Sequence, residues 1–448
     1  MQDEFIQSIL EDLLSAARAR GADGADVVCV KGRSSSTSVR QGKREDRDHS
    51  EGADLGFRVL VGKQQAIVSS TLSKNLFRPD DLVDRVIAMA QAVPEDPFVR
   101  LADSDQLSKF EGDLQTFDDT EVSTEALFEK SLAAEEAGLA VKGVANSGGA
   151  SAGWSSSEVW MASSNGFLGN YKSSSFSMGL SLIAGEGNSM VRDYAQSSAI
   201  FAKDLKSAAE VGLEAGERVT KRLGQRRVKS GTFPIVFEPR VANSFLSTFA
   251  NAINGAAIAR GTSFLKDKMD EQVFSDNITI VDDPHRIGGR RSRAFDGEGL
   301  VGQRLNLIEE GRLTTWLLDL ATAAKLGLQS NGRAARGVSS PPSPSATNLH
   351  FEPGRESPED LISSIDQGLY VTEMMGHGAN IVTGDYSRGA SGFWIENGKI
   401  AFPVTGVTIA SSLQEIFSSL ILANDLTFER GVNSPTLLVP QMTIAGET

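Results

Sequence analysis

The spacing of hydrophobic residues predicts seven helices along the chain. In the first, over residues 3–20, apolar residues recur every three or four positions and Gly21 follows, a pattern typical of an amphipathic helix with a glycine stop. The same spacing predicts six more helices, over residues 78–92, 124–137, 205–223, 241–259, 321–325 and 358–368. Pro94 and Pro97 end the second helix and open an acidic, poorly periodic connection over residues 94–120.

Alternating apolar and polar residues predict strands between these helices. The N-terminal candidates flank turns at Gly42-Lys43 and Gly62-Lys63 and cover residues 27–30, 35–39, 54–61 and 65–69. Residues 141–202 are rich in serine and glycine with large apolar residues at intervals, which predicts a meandering sheet. Further strands are predicted over residues 233–237, 278–281, 307–309 and 313–318.

Residues 384–398 form the most informative stretch. Asp385, Ser387 and Arg388 lie between Gly384 and Gly389, Gly392 follows, and Asn397-Gly398 separates two apolar runs. The Asn-Gly pair predicts a tight hairpin turn. Glycines crowded with polar side chains indicate either an ordinary glycine-rich connection or a place where another group approaches the backbone closely.

These elements predict an α+β fold with mixed sheets. The order of elements suggests an N-terminal domain of helices and strands over residues 1–224 and a β-rich C-terminal domain over residues 225–448, with the boundary near Gly224. A chain of 448 residues is long enough for two or three domains with sizeable cores.

Composition narrows the classes of function. The net charge of −14 disfavours nucleic acid or an anionic membrane as the main partner. Cys29 is the single cysteine, so no intrachain disulfide can form, and an intracellular compartment fits best. The first residues lack the basic start and apolar run of a signal peptide, and no apolar run is long enough to span a bilayer. We therefore expect a cytoplasmic protein.

Three motifs could carry chemistry. Asp282, Asp283 and His285 lie in one tight turn, which could bind a metal ion or act more simply as a capping turn. Residues 149–153 match the G-x-S-x-G pattern around Ser151, but a strand pattern follows instead of the required helix, so we reject a nucleophile elbow. The basic run over residues 285–293 could meet an acidic partner or a phosphate, or form a solvated loop, which needs fewer assumptions.

Many short motifs, in order along the chain, carry a resemblance to a known family. They are Gly56-Phe57-Arg58, Asn165-Gly166, Arg192-Asp193-Tyr194, Arg260-Gly261-Thr262-Ser263, Asp282-Asp283-Pro284, Asp296-Gly297-Glu298-Gly299, Trp316-Leu317-Leu318-Asp319, Thr347-Asn348, residues 384–398 and Asn424-Asp425-Leu426. With these motifs the chain resembles the TldD/PmbA proteins, specifically the PmbA (TldE) branch. In that family a TldD-type subunit carries a zinc-binding His-Glu-x-x-x-His helix and a downstream Cys ligand. The PmbA-type subunit pairs with it to form a cytoplasmic protease for unfolded peptides.

The resemblance places the metal-binding helix on residues that cannot bind zinc. Counting back from Arg260, the two histidine positions and the glutamate position fall on Leu246, Ser247 and Asn251. The Cys-bearing loop expected after residues 424–426 is also missing. We therefore predict no catalytic residue and no metal ligand at this site, no cofactor bound by this chain, and zinc only in the TldD-type partner.

The resemblance also suggests residues for a peptide groove or subunit interface: Asn251, Asn254, Arg260, Asp385, Ser387 and Arg388. A tight contact between helix and sheet is the simpler explanation for the small residues on the helix over 241–259. The leading hypothesis is a non-catalytic PmbA/TldE-type subunit, inactive alone, in a heteromeric protease that matures leader peptides or degrades an antitoxin. The alternatives are a peptide-binding regulatory protein, such as a DNA gyrase modulator, and a metal-independent hydrolase with a site near Asp283. Family members also suggest a homodimer in isolation.

Overall fold

The computed structural model describes residues 3–73 and 77–447 of the chain. The helices of these residues are α1 (Asp3–Ala19), α2 (Pro79–Ala92), α3 (Thr124–Leu139), α4 (Ala208–Lys221), α5 (Pro239–Ala252), α6 (Gly255–Ala259), α7 (Leu320–Leu326), α8 (Pro358–Ser363) and α9 (Leu413–Ser419). None of these helices is long and apolar enough to cross a membrane.

The first sheet is antiparallel and has six strands. They are β1 (Gly24–Arg40), β2 (Lys43–Val61), β3 (Gln64–Thr71), β4 (Val144–Ser163), β5 (Leu168–Ala184) and β6 (Val191–Ala199), in the spatial order β3-β2-β1-β4-β5-β6. Helices α1 and α2 cover one apolar cluster against β1 and β2, and α3 and α4 cover a second against β4 and β5. The predicted meander over residues 141–202 is confirmed.

Two further sheets use the rest of the chain. Their strands are β7 (Gly231–Phe237), β8 (Ile280–Asp283), β9 (Leu305–Glu309), β10 (Arg312–Leu313), β11 (Ala334–Ala335), β12 (Ser343–Pro344), β13 (Asn348–Phe351), β14 (Gln367–Met375), β15 (Asp385–Glu396), β16 (Lys399–Ser412), β17 (Ile421–Leu422), β18 (Val432–Asn433) and β19 (Leu437–Ala445). A five-stranded sheet has the order β10-β9-β8-β13-β18, and a six-stranded one has the order β16-β15-β14-β7-β19-β17. The strands β11 and β12 pair as a short ribbon. Parallel pairs occur beside antiparallel ones, so the predicted α+β fold with mixed sheets is confirmed.

Several predicted elements need correction. The strand β1 is continuous, and β2 begins at Lys43 with ten exposed residues. The sequence missed this part of β2 because its residues are polar on both faces and show no alternation. The single helix predicted over residues 241–259 is two helices, because Asn254 starts α6 by accepting the Ala256 N–H at 2.9 Å. Of the strand predicted over 313–318, only Leu313 lies in a strand.

The glycine-rich stretch is strand β15, not a loop. It pairs with β14 on one side and β16 on the other, and Asn397 (φ 50°) with Gly398 (φ 73°) forms the predicted hairpin turn. A Cβ added at Gly392 would lie 1.9 Å from the Tyr370 carbonyl oxygen. The close approach that the glycines indicated is therefore made by the protein's own backbone.

Replacing Gly392 by alanine is expected to destabilise the fold by about 1–3 kcal/mol, because the new methyl group overlaps a neighbouring strand that cannot move freely. Urea unfolding followed by circular dichroism measures the loss. Gly389→Ala is the matched control on the same strand, since its added Cβ meets nothing closer than Met375 at 3.4 Å. Equal stability losses for the two variants would contradict this packing argument.

Candidate functional site

Helix α5 has one apolar and one polar face. Phe245, Leu246 and Phe249 are buried in the main core of the C-terminal sheets. The opposite face, half-buried or exposed, carries short polar side chains at helical spacing: Asn243, Ser244, Ser247, Thr248 and Asn251. The polar face of α5 therefore borders open space, while its apolar face anchors the helix.

A cluster of charged residues joins the start of α5 to the first sheet. Asp193 of β6 is buried, and Arg240 donates to both of its oxygens, at 2.9 and 3.3 Å. Arg222, at the end of α4, donates to Asp193 at 3.3 Å and to Glu373 of β14 at 2.6 Å. Arg240 also donates to Glu238 at 2.7 Å. The cluster thus connects β6, α4, α5 and β14.

The charges of this cluster keep Asp193 ionised. Burial alone would raise the pKa of the Asp193 carboxyl, but the hydrogen bond and charge of Arg240, the Tyr194 N–H and the charge of Arg222 lower that pKa below its usual value. Burial lowers the pKa of Arg240, but the hydrogen bonds that it donates to Asp193 and the charges of Glu238 and Asp193 raise that pKa overall. At neutral pH Asp193 and Arg240 are therefore both charged and paired.

Two cavities meet where Tyr194, Arg240 and Asn243 line both of them. The larger, about 490 Å³, extends towards β14 and β15 and is called the arginine cleft below; its charged lining residues are Arg192, Asp193, Arg222, Arg240, Glu373 and Arg388. The smaller, about 210 Å³, extends to the segment over residues 427–434. Together they form a groove beside α5 that can accept an extended chain.

The three positions that the family's zinc motif would occupy do not fit a metal ion. Leu246 is fully buried in the core, and only Ser247 and Asn251 face outward. The Ser247 hydroxyl donates to the Asn243 carbonyl at 3.3 Å. A leucine, a serine and an asparagine supply none of the His, Cys or carboxylate ligands that zinc requires. Within residues 3–73 and 77–447, no group of three or more His, Cys, Asp or Glu side chains could hold a metal ion.

Two groove candidates near α5 differ in their surroundings. Asn254 uses its side chain within the fold, since it caps α6 and donates to the Pro344 carbonyl at 2.7 Å. Arg260 ends α6 and is exposed. The Arg260 side chain is thus exposed where a partner can contact it, whereas the Asn254 side chain is already hydrogen-bonded within the fold.

The structure separates the three polar residues of β15. Successive side chains of a strand point to opposite faces: Asp385 and Ser387 are exposed on one face, where Asp385 accepts the Thr383 hydroxyl at 2.6 Å. Arg388 is half-buried on the other face and lines the arginine cleft. Of these three residues, only Arg388 is brought to the groove beside α5.

In the turn containing Asp282, Asp283 and His285, both carboxylates are bound by other groups of the fold. The Asp282 carboxylate is fully buried, pairs with the Arg333 guanidinium, and accepts the Thr347 N–H at 2.6 Å and the Thr347 hydroxyl at 2.9 Å. Asp283 accepts the backbone N–H of His285 at 2.9 Å, as in a capping turn. The two carboxylates are thus engaged within the fold rather than aimed at a shared ligand.

The basic run, Ser151 and Cys29 also lie in surroundings that the structure defines. The basic run is not a fully solvated loop: Arg290 donates to Ser175 of β5 at 2.8 Å, and Arg286 lies 3.2 Å from the Phe428 ring centroid. Ser151 lies within strand β4, as expected. Cys29 is fully buried, and burial raises the pKa of its thiol to about 11, so it is an unreactive core residue.

Sequence reasoning missed Arg222, Arg240 and Glu373, which shape the groove. Asp193 was noticed only within the motif Arg192-Asp193-Tyr194. Charged residues at element ends resemble any solvated charge, so a sequence cannot show that they meet. The one available signal was an arginine in the first turn of a helix, where a positive charge opposes the helix dipole and needs another partner.

Family models and curated relatives of one family match this chain along most of its length. Family models match the PmbA/TldA metallopeptidase domain 1 at residues 25–90, the central domain at 117–223 and the C-terminal domain at 230–446. The Metalloprotease PmbA of Escherichia coli O157:H7 is 34% identical over 452 residues, covering 100% of this chain and 98% of the relative. The Metalloprotease PmbA homolog of Haemophilus influenzae is 32% identical, covering 99% and 97%.

Solved structures share the fold. A protein from Bacteroides thetaiotaomicron, proposed to be a modulator of DNA gyrase, has a TM-score of 0.90 at 26% identity and covers 100% of both chains. TldE from Thermococcus kodakarensis has a TM-score of 0.88 at 21% identity, covering 98% of this chain and 100% of that one. The chain therefore belongs to the PmbA/TldD family of metallopeptidases, in its PmbA (TldE) branch.

Proposed function

We propose that this chain is the non-catalytic, PmbA/TldE-type subunit of a heteromeric TldD/TldE metalloprotease that acts on unfolded peptides. Its partner is a TldD-type subunit, which supplies the zinc and the general base. Leader-peptide maturation and antitoxin degradation are the proposed physiological roles. Alone, the chain binds no zinc and cleaves nothing, and it can form a homodimer.

The observation that carries this proposal is the state of α5. The helix packs its apolar face into the core, but Leu246, Ser247 and Asn251 supply none of the side chains that bind zinc or activate its water. The groove borders the first turns of α5, where Asn243 and Ser244 line it together with a charged wall. A retained groove without catalytic residues supports a role in binding peptide for a partner's active site.

Reconstitution tests the proposal. The purified chain, a purified TldD-type partner and their mixture are each incubated with unfolded casein, and cleavage is measured by gel and mass spectrometry. We expect no cleavage by this chain, cleavage by the mixture above that of the partner alone, and loss of that cleavage on chelation. A partner with one metal-binding histidine replaced is the matched control. Chelator-sensitive cleavage by this chain alone, or no gain on mixing, would overturn the proposal.

A regulatory role without proteolysis is the second candidate. It rests on the structural neighbour from Bacteroides thetaiotaomicron, which is proposed to be a modulator of DNA gyrase. Affinity capture with this chain as bait distinguishes the two functions. Recovery of gyrase subunits without a TldD-type protein favours regulation, whereas recovery of a TldD-type protein favours the protease subunit.

A further inference from the structure

Two arginines of the arginine cleft, Arg192 and Arg388, form no ion pair within the described residues, and of the two Arg388 is half-buried. Arg222 pairs with both Asp193 and Glu373, and Arg240 pairs with Asp193. Arg388 forms no ion pair with any residue of the described part of the chain, and its buried Nε has no hydrogen-bond partner there. A half-buried guanidinium without a counter-charge is costly, because the protein surroundings solvate it poorly.

The neighbours of Arg388 cannot supply the missing negative charge. Tyr386 shares a side-chain hydrogen bond with Arg388, but burial raises the pKa of its phenol to about 12 although Arg388 lowers it, so the phenol carries no negative charge at physiological pH. Thr372 also lines the cleft, and within the described residues its buried hydroxyl has no hydrogen-bond partner. Among the described residues, the Arg192 side chain on the far wall donates only to the Ser181 hydroxyl, at 2.8 Å. The cleft therefore holds hydrogen-bond donors that lack acceptors within the described residues.

We propose that the arginine cleft binds a carboxylate of the unfolded peptide, with Arg388 as its charge partner and Thr372 as a neutral donor. This inference rests on the proposed peptide-binding function and specifies its substrate class as acidic peptides. A carboxylate accepts charge-assisted hydrogen bonds from a guanidinium in a planar, two-point geometry. The carboxylate belongs to an Asp or Glu side chain or to the peptide's C-terminus, since both have the same chemistry.

Direct binding to the purified chain tests the inference without the partner. Fluorescein-labelled flexible peptides of Gly and Ser carry Glu, Gln or Lys at the same positions, each with a C-terminal acid or amide. Fluorescence anisotropy gives the dissociation constants. We expect the Glu peptides to bind best, with an affinity that falls as salt is added. If the Glu and Gln amides bind alike while both free acids bind better, the C-terminal carboxylate is the ligand.

Variants of Arg388 connect this preference to the cleft. Arg388→Gln should weaken binding of the Glu peptide by about tenfold, the loss of one charge-assisted hydrogen bond, and leave the Gln peptide unaffected. Arg388→Lys should keep part of the preference, because the charge remains. Arg85→Gln, an exposed site on α2 beside the opposite edge of the first sheet, is the matched control. Thermal melting checks that each variant is folded.

The outcomes separate this inference from the proposed function. Binding that is equal for the Glu and Gln amides and no better for the free acids, no peptide binding at all, or a carboxylate preference unchanged in Arg388→Gln overturns this inference. Those results leave the casein reconstitution unaffected. Failure of reconstitution with an intact, Arg388-dependent acid preference overturns instead the role as a protease subunit.

Discussion

Asp282→Ala is expected to lower the free energy of unfolding by about 3–5 kcal/mol, because it leaves the Arg333 guanidinium buried without its counter-ion. Both side chains of the pair are fully buried. Arg333 also donates to the Gln303 carbonyl at 2.5 Å, and Thr347 donates twice to Asp282. Removing the carboxylate therefore breaks a network that joins β8, β13 and two loops.

Urea unfolding of Asp282→Ala and Asp283→Ala measures this difference. The carboxylate of Asp283, the next residue on β8, accepts only the His285 N–H among the described residues, so its replacement should cost about 1 kcal/mol. Equal losses in the free energy of unfolding for the two variants would contradict the role of Asp282 as the counter-ion of the buried Arg333. A peptidase activity lost only in Asp283→Ala, with the fold intact, would instead support a metal-independent hydrolase.

Asp193→Ala is expected to have the second largest effect, a loss of about 3 kcal/mol, since two largely buried arginines lose their shared carboxylate. Repulsion between Arg222 and Arg240 should also open the wall of the arginine cleft. Peptide binding should therefore weaken together with stability. The control is Asp80→Ala, an exposed acid on α2 paired with Arg20, which should cost less than about 1 kcal/mol.

The contribution of Asp193 to the free energy of unfolding should decrease as the pH falls. The pKa of Asp193 is lowered in the folded chain, so the stabilisation is complete above the unfolded-state value of about 4 and is lost as the pH falls through the folded value. The free energies of unfolding of the wild type and of Asp193→Ala should therefore converge below about pH 4. A constant difference between the two down to pH 2 would contradict the ionic origin of the effect.

Local patterns predicted most helices and strands because apolar periodicity directly reflects burial. They failed where the pattern carries no such information. The first half of β2 is polar on both faces, and the break before α6 depends on a cap formed by Asn254 with Ala256 and on contact with Pro344. The boundary at residues 224/225 and the absence of a catalytic site in this chain stay predictions.

The α+β class, the hairpin at Asn397-Gly398, the family resemblance and the replacement of the zinc-binding positions by Leu246, Ser247 and Asn251 can all be predicted from the sequence. These features depend on residue identity or on neighbours along the chain. Which charges meet depends instead on the three-dimensional packing. Arg240 and Asp193 are 47 residues apart, and Arg222 and Glu373 are 151 apart. Side-chain pairing over such separations depends on how sheets and helices pack, so the groove and its unpaired Arg388 emerge only in three dimensions.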